Sequence, residues 1–151
     1  MFGSALYPLL ACAATAVVFG GCARPLAVGQ ADRRAQLAAL EYPADAAYGP
    51  DLDIVIDRDG SAVVMINRTA SVFRDVRVWL NQQHVRELPR IEIGPGNRFD
   101  LTRWINEHRE PFPVGSLLTP EEARPVLLAE LFDPETGLRH RLLVWPDDTG
   151  R

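Results

Sequence analysis

The chain has 151 residues, 47% of them hydrophobic, with 16 basic side chains that are all arginine, 20 acidic ones and a net charge of −4. An acidic balance excludes the strongly basic domain expected of a nucleic-acid binder, and two cysteines, Cys12 and Cys22, exclude a disulfide-built scaffold. The charge is uneven, since 68–109 carries 8 Arg against 5 acids while 22–67 and 110–151 each carry 4 Arg against 7 and 8 acids; the central arginines read as solvated strand faces.

From Ala5 to Gly21 the chain reads ALYPLLACAATAVVFGG, uncharged and ending in small residues, which is the pattern of a secretory signal segment. It is interrupted by Pro8 and short for crossing a hydrocarbon layer of about 30 Å. Gly20 and Gly21 stand directly before Cys22, with Phe19 ahead of them. Here the sequence resembles a bacterial lipoprotein precursor, a class that usually has leucine where this chain has Phe19. The resemblance implies a signal peptide over 1–21, cleavage before Cys22 and palmitate-type acylation at Cys22 as the lipid attachment. It also implies a location in the cell envelope, membrane-held through an N-terminal lipid anchor and facing the periplasm or the exterior. Ordinary cleavage near Ala23 and an uncleaved apolar anchor stay open as alternatives. Cleavage would discard Cys12 and leave Cys22 without a disulfide partner.

Residues 22–50 read as a tether punctuated by Pro25, Gly29, Pro43, Gly49 and Pro50, with a short helix at Ala31 to Glu41 carrying Leu37, Leu40, Ala35 and Ala38 on one stripe. Packing of this piece against the domain is the equal alternative. From Leu52 the period becomes two: Leu52, Ile54 and Ile56 alternate with Asp53, Val55 and Asp57. Arg58-Asp59-Gly60 predicts a tight hairpin, and Ala62, Val64 and Ile66 alternate in the returning strand. A third strand near Phe73 to Leu80 sends Val76, Val78 and Leu80 one way and Asp75, Arg77 and Trp79 the other. Asn81-Gln82-Gln83 turns the chain into a strand near His84 to Leu88, then a short extended piece over Arg90 to Ile93. Gly94-Pro95-Gly96-Asn97 is a turn signal, and Phe99 and Leu101 open the next inward row. Prolines at 111, 113 and 120 exclude a long element over 105–124, with Thr119-Pro120-Glu121-Glu122 as a brief helix start. Val126 to Phe132 and Leu138 to Trp145 close the domain as strands, joined by a turn through Gly137.

About seven short strands with turn signals between them predict an all-β domain over 51–148, a single β-sandwich. The arrangement is similar to immunoglobulin and fibronectin type III domains, without their Cys and Trp core signature.

No catalytic constellation is legible, so the reading is a non-enzyme without cofactor. His84, His108 and His140 lack ligand spacing, so no metal is expected. Asp57, Asp59 and Asp53 lack the twelve-residue calcium pattern and fit a hairpin. Trp79, Trp104 and Trp145 are the candidate contact residues for a ligand or partner, because exposed aromatic faces stack on sugars or anchor proteins. Arg77 shares the Trp79 face, and Arg86 is placed across from Trp79 for a cation–π contact. The expected function is a lipid-anchored binding or structural accessory of the bacterial envelope whose partner is another envelope protein. A carbohydrate-binding module using surface tryptophans is the alternative, and a hydrolase with distant carboxylates is the third reading.

Overall fold

The computed structural model describes residues 26–115 and 123–145. The leader with Cys22, the expected helix start at Thr119 to Glu122 and residues 146–151 lie outside the described residues. Along the chain come helix α1 (Leu26–Ala38) and strands β1 (Leu52–Asp59), β2 (Ala62–Asn67), β3 (Phe73–Leu80), β4 (His84–Ile91), β5 (Gly94–Asp100), β6 (Ala129–Asp133) and β7 (Leu138–Val144). Among the described residues no helix is long and apolar enough to cross a membrane.

The seven strands form one sheet in the order β4-β3-β6-β7-β1-β2-β5. Every neighbouring pair is antiparallel except β1 and β7, which run parallel. The all-β domain expected from sequence therefore forms, but as one barrel-like sheet rather than the two sheets of a sandwich, because β1 bonds β2 on one side and β7 on the other. The sheet curls over a single core. Ile54 and Ile56 of β1, Val63 and Met65 of β2, Val76, Val78 and Leu80 of β3, Leu88 and Ile91 of β4 and Leu131 of β6 are all buried there. Alternation explains this burial in β1, β2 and β3, since side chains two apart share a face of a strand, whereas Leu88 and Ile91 of β4 are three apart and fall outside that period.

Two local expectations shift. The first hairpin has Gly60-Ser61 as its two-residue loop, with Gly60 at φ 60° and Asp59 paired to Ala62. That register sets Ile56 opposite Met65, so Val63 and Met65 enter the core, and Val64 and Ile66 lie on the other face. The second shift concerns Gly94-Pro95-Gly96-Asn97, which begins β5 instead of forming the turn. Asn97 is the reason. Its amide nitrogen donates to the carbonyls of Glu92 and Met65, and its carbonyl accepts from the Glu92 backbone N–H, so the reversal is drawn back to Glu92-Ile93.

The opening between edge strands β4 and β5 is filled by 101–113. Asp100 caps a single 3-10 turn (Leu101–Arg103), accepting from the Thr102 backbone N–H and hydroxyl, and these bonds, the hydroxyl's foremost, hold its carboxyl below the ordinary range. Fully buried Trp104 follows and donates its indole N–H to the Val78 carbonyl at 3.1 Å. Ile105 exchanges both backbone hydrogen bonds with Val85, which covers part of the β4 edge.

Candidate functional site

The outer face of β3, β6 and β7 is covered by the segment before β1. The helix in that segment is Leu26–Ala38 rather than Ala31 to Glu41. Leu37 is buried with Trp79, Val85 and Ile105, and Leu40 and Tyr42 pack on the same cluster. Further along, Tyr48 and Gly49 run parallel to β7: the Arg139 N–H donates to the Ala47 carbonyl and the Gly49 N–H to the Arg139 carbonyl. A Cβ at Gly49 would stand 2.3 Å from the His140 ring, so a larger residue would have to displace that ring.

A polar network closes this roof. Tyr42 and Tyr48 donate their hydroxyls to the two carboxylate oxygens of buried Glu130, each at 2.5 Å. Arg139, also buried, donates to the Tyr42 oxygen and to the carbonyls of Ala44 and Ala46, and it lies over the Tyr48 ring at 4.3 Å. Burial, then the hydrogen bond and charge of Glu130, push the Tyr42 phenol well above its ordinary range. Sequence reasoning missed all four residues. The one signal was Trp79 itself, a large aromatic facing away from the core row and therefore in need of cover.

Two concavities flank the roof. The larger, about 700 Å³, runs between 38–42 and 105–113 and is lined by Trp79, Gln83, His84, His108, Glu110 and Arg124 among others. Trp79 Nε1 and His84 Nδ1 are the buried side-chain polar atoms that have no hydrogen-bond partner among the described residues, and both residues stand in the wall of this groove. His84 packs edge-on against Phe112 at 5.0 Å. Burial, then the positive charge of Arg124, hold the His84 imidazole below its ordinary pKa, so it is neutral near pH 7. The smaller concavity, about 470 Å³, lies between α1 and the turn after β5 and is lined by Gln30, Arg33, Arg34, Arg86, Asp100 and Arg103 among others.

Two of the three candidate tryptophans are buried. Trp79 is 3% exposed and Trp104 0%, so neither ring can stack on a sugar; Trp145 is 56% exposed. Register explains the arginines as well. Arg86 pairs with Val78 and Trp79 with Val85, so Arg86 points to the core side, where its guanidinium lies over Trp104 at 4.9 Å and Phe99 at 5.1 Å. Arg77 stays on the outer face, 3.4 Å from Glu87 and over the Phe132 ring. Among the described residues no group of three or more His, Cys, Asp or Glu is placed to hold a metal ion. No family model, no curated protein and no solved structure matches the chain.

Proposed function

We propose that this chain is a lipid-anchored domain of the bacterial envelope that acts by binding another envelope component, with the larger groove as its contact surface. The strand order supports an immunoglobulin-like reading of the domain, because β1 pairs with β2 on one side and in parallel with the last strand on the other. The observation that carries the binding role is the groove itself, whose wall holds Trp79 and His84, each with a buried ring nitrogen that has no hydrogen-bond partner among the described residues. An anchor strengthens even weak contacts, because confinement to a surface raises the effective concentration of a co-localised partner.

Two experiments test this reading. Metabolic labelling with a fatty acid is expected to mark the wild type and not Cys22→Ser; label persisting in the mutant contradicts acylation at Cys22. For the groove, a benzophenone side chain placed at exposed His108 is expected to crosslink a discrete envelope component in intact cells, and the same group at Arg90, away from the groove, is not. Equal crosslinking from both positions would contradict a dedicated surface.

A further inference from the structure

We propose that the cleft between α1 and the turn after β5 is a phosphate site that takes the headgroup of an anionic phospholipid. The choice of a membrane source rests on the anchor at Cys22. Gln30, Arg33 and Arg34 project from α1 with Leu37 at helical spacing, so they share one face, and Leu37 seats that face on the sheet. Opposite them stand Arg86 and Arg103.

Four guanidinium groups thus line one cavity whose acids are Glu87 and Asp100. The acids are already engaged. Glu87 holds Arg33 at 2.9 Å and also meets Arg77, and Asp100 caps its own turn while Arg103 lies 3.9 Å away. Arg34 has no carboxylate partner among the described residues, and Arg86 donates only to the Asp100 carbonyl at 3.2 Å. The cavity therefore keeps an excess of positive charge on donors arranged in planar forks, the geometry that matches phosphate oxygens.

Arg86 is built into the wall. Its guanidinium lies over the Phe99 and Trp104 rings and is half-buried, which holds its donors in place before any ligand arrives and reduces the entropy lost on binding. The surrounding arginines repel one another, and burial followed by the charge of Arg103 lowers the Arg86 pKa from its usual value; an anion would relieve that crowding.

Proximity to the bilayer selects the ligand's source. Leu26 follows Cys22 by four residues, roughly 14 Å of chain at full extension. Gln30 to Arg34 lie roughly 6–12 Å further along α1. An acylated Cys22 would thus hold the cleft within reach of headgroups, and an excess of arginine selects an anionic headgroup over a zwitterionic one.

The test uses the full acylated chain in a neutral detergent, titrated with dioctanoyl phosphatidylglycerol, dioctanoyl phosphatidylcholine or inorganic phosphate, with the arginine Nε–H signals followed by NMR. Phosphatidylglycerol is expected to bind saturably and shift the Arg86 signal. Arg34→Glu, at an exposed helix position, is expected to weaken that binding on the order of tenfold, and Arg90→Gln to leave it unchanged. Inorganic phosphate or phosphatidylcholine binding as tightly as phosphatidylglycerol would overturn the headgroup assignment, and undiminished binding in Arg34→Glu would overturn the site. The anchor fails separately: phosphatidylglycerol binding without label at Cys22 removes the anchor and keeps the cleft, whereas label without binding does the reverse.

Discussion

The two faces of the β3, β6 and β7 wall are built on different principles. Inward, Val76, Val78, Leu80 and Leu131 meet Ile54, Ile56, Val63 and Met65 in an apolar core stabilised chiefly by burial. Outward, Trp79 and Phe132 share their face with Glu130, Arg139 and the two tyrosines that come down from the segment before β1. The inner face depends on shape and the outer face on satisfied polar partners. An apolar core degrades gradually as volume is lost, whereas a buried polar network fails when a single acceptor is removed.

The largest expected effect lies inside. Trp104→Ala removes a fully buried indole, its bond to Val78 and the surface on which Arg86 rests, so it is expected to cost about 3–5 kcal/mol in urea unfolding. A loss under about 1 kcal/mol would mean that 101–113 does not close the core. Glu130→Ala is expected to cost about 1–3 kcal/mol, because it removes the acceptor shared by two tyrosine hydroxyls. It should also release the roof before the sheet unfolds, seen as early exchange of amides in 42–49. If roof and sheet still open together in that variant, the two faces are not separable.

Tyr48→Phe removes one donor and leaves the ring on Arg139, for about 1 kcal/mol. The pH response separates the faces further. The Tyr42 pKa is raised on folding, so its contribution is fully present below the unfolded value of about 10 and is lost as the pH rises above it. Alkaline destabilisation is therefore expected in the wild type and reduced in Tyr42→Phe; matching pH curves for the two would contradict the raised phenol pKa. The smallest effect belongs to the exposed Arg90 and Glu92 pair, where Arg90→Gln is expected to change stability by less than about 0.5 kcal/mol.

The inner face was legible because its information is local. Val76, Val78 and Leu80 announce themselves by period two, and the Asp-Gly pair marks the first hairpin to within a residue. The outer face is written over long distances: Tyr42 and Tyr48 are separated from Glu130 by 88 and 82 residues. No spacing rule links them, and Glu130 sits in a strand whose other residues read as apolar on both sides. Turn chemistry also misled at Gly94-Pro95-Gly96-Asn97, where one buried asparagine side chain relocates the reversal. For the candidate site, Trp79, His84 and His108 were noticed individually, but their shared groove depends on how 38–42 and 105–113 approach one another.

Both concavities require the segment before β1 to be docked, since the roof forms one wall of each and connects the sheet to Cys22. Amide hydrogen exchange at Gly49, whose N–H donates to the Arg139 carbonyl at 2.8 Å, tests this most directly. Exchange as slow as that of the β7 amides is the expected result; exchange at the rate of an unstructured peptide would contradict it.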